Sequence, residues 1–169
     1  MSDSVDISIL LDTFNQLQRR GVSYIYGGKA DLKSTNPRSA GRLSTPLDTI
    51  DGLDCSGFTR YSLYRAAGWL IPDGSQEQRA WFQEEFGNAL AAYSDVNANV
   101  GRDALYIAFI KPNVNGCGDI GHVWFVYKQA DGIEAETIEC HGGGGVDSRS
   151  WNTVVLLREA YVAYPLTLE

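Results

Sequence analysis

Cysteine occurs three times, histidine twice and methionine once in the 169 residues. Three cysteines, Cys55, Cys117 and Cys140, are too few for a disulfide framework. Only Cys117 and Cys140 are left to pair in an oxidising compartment if Cys55 stays free. Neither Cys-x-x-Cys nor His-x-x-x-His spacing is present, so no metal site is expected. Lysine and arginine number 14 against 21 aspartates and glutamates, a net charge of −7. With basic residues scattered, that deficit argues against a nucleic-acid partner, whose phosphates need clustered Lys and Arg. No apolar run approaches the roughly 20 residues of a membrane span. The opening residues, Met-Ser-Asp-Ser-Val-Asp, are acidic where a secretory signal is basic, so no signal peptide is expected. Repeats, low-complexity tracts and interdomain linkers are missing too. Residues 1–169 therefore read as one domain, large enough for a core that needs no metal or disulfide.

What is present runs from helices to strands. Residues 5–20 carry Ile9, Leu10, Phe14 and Leu17 on one face, with Gly21 as the stop, which predicts an amphipathic helix. Residues 23–28 read as a short extended segment closed by Gly27-Gly28. Residues 29–53 then shift to Ser, Thr, Asn, Pro, Asp and Gly, the composition of a long functional loop. Ser75 and Gln78 have capping-box spacing and open a helix running to about residue 86. The pattern over 87–103 is ambiguous. Strands are expected at 104–110, 122–128, 134–140, 154–157 and 161–164, with Asp131-Gly132 as a hairpin turn. Helices first and antiparallel strands after is the α+β pattern.

The most informative stretch is Asp54-Cys55-Ser56-Gly57, followed by Phe58, Tyr61, Leu63, Tyr64, Ala66 and Ala67 at helical spacing and a stop at Gly68. Cys55 thus falls in the first turn of a helix. There the unpaired backbone N–H groups and the positive end of the macrodipole favour a thiolate, the nucleophilic form of cysteine. The plain alternative is a small buried cysteine at a helix start.

His122 opens the apolar run Val123-Trp124-Phe125-Val126-Tyr127 directly after Gly121, a placement that suits a general base. Glu139 and His141 flank Cys140 two residues apart, so in a strand they share a face. Either one can supply the third polar group that orients an imidazole base. Gly142–Gly145 suits a flexible lip or a close backbone approach, and it lacks the ending of a phosphate loop. Trp69, Trp81 and Trp124 sit inside helix or strand patterns and read as core. Trp151, just past the glycines, reads as a cleft residue.

Taken in order, Tyr24-Ile25-Tyr26-Gly27-Gly28, Asp54-Cys55-Ser56-Gly57, Gly121-His122-Val123 and Thr137-Ile138-Glu139 resemble the NlpC-type cell-wall cysteine peptidases. The resemblance runs from about residue 24 to 151. It implies a papain-like α+β fold, with the nucleophile at a helix N-terminus packed on an antiparallel sheet. It also implies Cys55 as nucleophile, His122 as base, and Glu139 or His141 as the third catalytic group. Tyr24, Asp54 and Ser56 would then contact the peptide stem, together with Trp151 from the cleft reading. The family more often has histidine at the third position, and its Gly-Asp-Leu segment is replaced here by Gly101-Arg102-Asp103-Ala104-Leu105. The loop over 111–120, containing Cys117, is long and is expected beside the cleft with the 29–53 loop.

The activity so implied is a cysteine endopeptidase or amidase that hydrolyses peptidoglycan stem peptides, usually at a γ-D-glutamyl-to-diamino-acid bond, without a cofactor. Made in the cytoplasm, it would reach the wall by lysis or dedicated delivery, as a phage lysin or tail component or an interbacterial effector does. Expected partners are stem peptides and, for an effector, a delivery or immunity protein; the protein itself is expected to be a monomer. Two other readings stand beside it. One is a papain-like acyltransferase or deamidase acting on another substrate. The other is a catalytically silent phage structural module.

Overall fold

The computed structural model describes residues 3–27, 46–87, 101–110, 121–132, 134–151 and 161–169. In chain order these form α1 (Ile7–Arg19), β1 (Ser23–Tyr24), β2 (Gly52–Leu53), α2 (Cys55–Ala67), α3 (Ser75–Phe86), β3 (Ala104–Ile110), β4 (His122–Lys128), β5 (Glu136–His141), β6 (Gly145–Asp147) and β7 (Tyr161–Leu166). The architecture is mixed α+β. Five antiparallel strands run in the order β6-β5-β4-β3-β7, and β1 and β2 pair separately in parallel. Among the described residues no helix is long and apolar enough to cross a membrane.

Asp6 starts α1 by accepting from the backbone N–H groups of Ser8 and Ile9, and the helix buries Leu10, Phe14 and Leu17. α2 has a purer signal at each end. Asp54 caps its N-terminus by accepting from the Gly57 N–H at 2.6 Å. Gly68 closes the other end in the left-handed conformation, φ 71°, which costs glycine little. Between these caps Phe58, Tyr61, Leu63 and Ala66 are all buried, so α2 is the central helix.

The sheet is buried on both faces, which is why β3 and β4 read as continuous apolar runs rather than alternating ones. Val123, Phe125 and Tyr127 point to the helices, and Phe58 meets Phe125 edge-on with ring centres 6.2 Å apart. Trp124 and Val126 point to the opposite face, joining Tyr106, Ala108, Ile110 and Trp151.

Three expectations shift. The strand foreseen at 134–140 runs from Glu136 to His141, and β7 extends to Leu166. The short strand β6 carried no signal of its own, since two of its three residues are Val146 and Asp147 behind a glycine run. The capping box at Ser75 and Gln78 does not form: Gly74 is the N-cap, without a side-chain cap bond. Gln78 turns inward instead, fully buried, and donates to the carbonyls of Ser56 (2.9 Å) and Pro72 (3.0 Å) while accepting from the Thr59 hydroxyl (2.7 Å). A buried amide satisfied by tertiary partners outcompetes a local cap. The expected strand at 154–157, residues 88–100 of the ambiguous 87–103, residues 29–45 of the expected 29–53 loop and the loop over 111–120 lie outside the described residues; the remainder of the 29–53 loop carries a short 3-10 turn at Leu47–Thr49 and β2.

Phe82 on α3 is fully buried and touches the rings of Trp69, Trp81, Phe86, Phe109 and Tyr164. Phe82→Ala is expected to lower unfolding free energy by about 3–5 kcal/mol through lost burial and a residual cavity. Equilibrium denaturation in urea reads this directly. A loss under about 1 kcal/mol would mean the aromatic cluster collapses around the deletion.

Candidate active site

The β2–α2 junction sets the first functional side chain. Leu53 ends β2, Asp54 turns the chain, and Cys55 is the first residue of α2, 4% exposed. Its position at the helix N-terminus surrounds the thiol with backbone N–H groups that lack intrahelical acceptors. Asp54 and Ser56 are both buried, and the Ser56 hydroxyl donates to the capping carboxylate at 3.2 Å. Within this turn both side chains are engaged in fixing the helix start.

The second comes from the first residue of β4. Gly121 has φ 70°, and a Cβ there would lie 2.6 Å from the Ile110 carbonyl, so only glycine lets the chain enter β4 against β3. His122 follows, 16% exposed, its ring stacked on Trp124 at 5.2 Å and 19°. One ring nitrogen, Nε2, lies 3.0 Å from Glu139 Oε1. The other nitrogen, Nδ1, is not taken by Glu139, and Cys55 acts electrostatically on the same ring.

Register explains why the partner is Glu139 and not His141. β4 and β5 pair through Phe125↔Ile138, Val126↔Thr137 and Tyr127↔Glu136. Continued outward, that register would set His141 opposite His122. The ladder with β4 stops at Ile138, however, and beyond it β5 keeps only its pairing with β6 on the opposite edge (Glu139↔Asp147, Cys140↔Val146, His141↔Gly145). The strands part, and the contact passes to Glu139, the diagonal neighbour on the same face. His141 binds elsewhere: Nε2 to Asp147 at 2.9 Å and Nδ1 to the Gly142 carbonyl at 3.0 Å. The glycine loop wraps this pair closely, because a Cβ at Gly144 would strike the His141 ring. At Gly145 a Cβ would sit 2.5 Å from the Val22 carbonyl, so the loop docks on the segment leading into β1.

One residue of the site left no mark in the sequence pattern. Arg149, two residues past β6, grips Glu139 with both ends of its guanidinium: Nη2 to Oε1 at 2.6 Å and Nε to Oε2 at 3.1 Å. The Arg149 backbone N–H donates to Thr137 Oγ1 and its carbonyl accepts from the Thr137 N–H, which strings the segment alongside β5. Only the strand pairing reveals that residue 149 returns to residue 139.

Electrostatics follow from these contacts. Burial alone would lower the His122 pKa, but hydrogen bonds and charge attraction from Cys55 and Glu139 outweigh it and raise it to about 9. Burial works against ionised Glu139 as well, yet His122, Arg149 and Thr137 pull its pKa down to about 2. At neutral pH His122 is therefore an imidazolium, hydrogen-bonded to the Glu139 carboxylate and stabilised by Cys55 as well. Tyr24 is half-buried and pushed up to about 12, first by burial and then by Cys55 and Asp54, so its phenol keeps its proton at neutral pH.

Trp151 is 1% exposed and packs against Trp124 at 6.2 Å. The cleft position expected for it is thereby corrected: the ring is flat and apolar enough to be buried beneath the sheet, where it backs the tryptophan on which His122 rests. Cys140 is a free thiol, fully buried, with Sγ 3.3 Å from the Leu53 carbonyl. Its expected partner Cys117 lies outside the described residues. Burial foremost, then the negative groups Cys55, Asp54 and Glu139, push Cys140 up to about 12. Iodoacetamide at pH 7 is therefore expected to label Cys55 at least about tenfold faster than Cys140. Peptide mapping of a timed reaction checks this, and equal rates would show that the imidazolium does not activate Cys55.

The chain matches no family model, and no curated protein matches it.

Proposed function

We propose that this protein is a papain-like cysteine hydrolase that cleaves amide bonds in peptidoglycan stem peptides, of the NlpC type that its motifs resemble. The observation that carries the reading is Cys55 at a helix N-terminus together with a His122 ring whose Nε2 is held by buried Glu139 and whose pKa Cys55 raises. Three groups in that order are what an activated thiol needs: nucleophile, base and orienting acceptor.

The chemistry is acyl transfer. The Cys55 sulfur attacks the scissile carbonyl carbon. The oxyanion forms against the N–H groups at the start of α2, which point at developing negative charge in a site poor in water. His122 gives its Nδ1 proton to the departing amine, leaving an acyl-thioester on Cys55. A water molecule then loses a proton to His122 as it attacks, and the free acid leaves. Glu139 keeps the ring oriented and stabilises its charged form throughout. Tyr24, half-buried beside the thiol, offers its hydroxyl to the bound peptide. The site of action would be the bacterial wall, reached through lysis or dedicated delivery.

Digestion of purified peptidoglycan from several wall chemotypes, followed by mass spectrometry, tests the proposal. New stem-peptide fragments with the protein and none with Cys55→Ala would support it and identify the bond. No fragments from any wall, while Cys55 alkylates rapidly, would overturn it in favour of acyl transfer or deamidation on a different substrate.

A further inference from the structure

The proposed reaction uses Cys55, His122 and Glu139; it gives no task to the arginine that encloses the carboxylate. We propose that Arg149 is a positioning residue for His122, acting through Glu139 to fix both the direction and the strength of the imidazole's acceptor. The inference rests on the reading of Cys55 and His122 as nucleophile and base.

A glutamate is a less constrained orienting group than a histidine or an asparagine. It has an additional rotatable bond and two equivalent oxygens, and either can face the ring. Here that freedom is removed. The two-pronged contact of Arg149 occupies Oε1 and Oε2 together, fixing the carboxylate plane, and the oxygen that takes Nη2 at 2.6 Å is the same Oε1 that faces His122 Nε2 at 3.0 Å. Arg149 is itself tied down through its backbone to Thr137, two residues before Glu139 on β5. The Arg149 side chain is 36% exposed while that of Glu139 is fully buried, so the pair brings a partly solvated cation to an otherwise isolated buried anion.

The charge has a second consequence. A lone buried carboxylate would attract the imidazolium with its full charge. Sharing that carboxylate with a guanidinium weakens the hold and keeps the neutral imidazole within reach for the water-activating step. The other ionisable groups acting on this pair are Cys55 on α2, which acts on His122, and Cys140 on β5, which Glu139 acts on; Asp54, the cap of α2, and Tyr24 on β1 are linked to Cys140. None of these acidic groups can carry a positive charge, so among the described residues acting on Glu139 Arg149 is the permanent cation.

Two substitutions in the full-length protein separate geometry from charge. Arg149→Ala removes both, and Arg149→Lys keeps the charge but not the fork. Three readouts apply: the NMR titration of the His122 ring, the pH dependence of Cys55 alkylation, and kcat with KM on a stem peptide. Arg149→Ala is expected to move the His122 midpoint and the alkaline limb of alkylation upward by at least about 0.5 in pH. It should also lower kcat by about tenfold or more with little change in KM. Arg149→Lys should restore the midpoint without restoring kcat. A role confined to stability would appear as a lower melting temperature with the His122 midpoint, alkylation profile and kcat all at wild-type values, and that result overturns the inference. If Arg149→Ala does not fold, Arg149→Lys decides: wild-type kcat and plateau alkylation rate would reject the positioning role. Should the wild type cut no stem peptide, the hydrolase reading fails on its own, and titration and alkylation still judge Arg149.

Discussion

Cys55→Ala should leave a folded protein whose turnover of a stem-peptide amide is reduced by more than about 10⁴-fold. The size follows from what the thiol does. In the proposed reaction it is the atom that forms the new bond. Without it, a water molecule would have to attack directly, aided only by the N–H groups at the start of α2 and by His122. Machinery of that kind retains a residual rate over water, so the loss is large but finite. The fold should survive because alanine fills most of the same buried space and Asp54 still caps α2. Circular dichroism checks the fold, and product release by mass spectrometry checks the rate. Removing the thiol also deletes one of the two groups that raise His122, so the imidazole of Cys55→Ala should titrate below the wild-type value of about 9. A variant with unaltered turnover would place the nucleophile elsewhere and end the proposal.

Much of this was legible because the decisive signals are local. A capping Asp54, an apolar stripe and Gly68 define α2 and therefore the setting of Cys55 without any tertiary information. The runs that became β3 and β4 are long, apolar and bounded by breakers, so their ends match the expectation. The third group at the site was narrowed to Glu139 or His141 and no further. The choice depends on the β4–β5 ladder ending at Ile138 while β5 continues against β6 on its other edge, a change that no composition or period records. Arg149 was invisible for the same reason. It is ten residues from Glu139, and the turn that returns it hinges on a glycine run whose sequence suits several conformations. Gln78 shows the opposite failure: its spacing from Ser75 imitates a local cap, while burial against the first turns of α2 decided its partners. Trp151 is a third case, where proximity in sequence to a loop suggested a surface and the packed sheet face took the ring inside.

The largest pH-dependent effect on stability is expected of Glu139→Gln. The amide would keep the shape and a hydrogen-bonding carbonyl but remove the charge that Arg149 and protonated His122 both face. Loss of one partner from a buried ion pair costs about 3–5 kcal/mol, and the lower end applies here because Arg149 keeps access to water. The pH dependence gives the signature. Glu139, usually near 4.5, is held at about 2, so its contribution is complete above the ordinary carboxylate range and is lost as pH falls through about 2. His122, usually near 6.5, is raised to about 9, so its contribution is complete below 6.5 and is lost as pH rises through about 9. Wild-type stability attributable to this cluster should therefore be greatest between roughly pH 4.5 and 6.5 and decline on both sides. Glu139→Gln should flatten the acid side altogether and pull the alkaline decline to lower pH, as His122 loses its carboxylate. Urea denaturation at intervals from about pH 3 to 10 measures both slopes. Parallel curves for wild type and variant would mean that Glu139 is not ionised against His122 in solution, and the orienting role assigned to it would fall with that result.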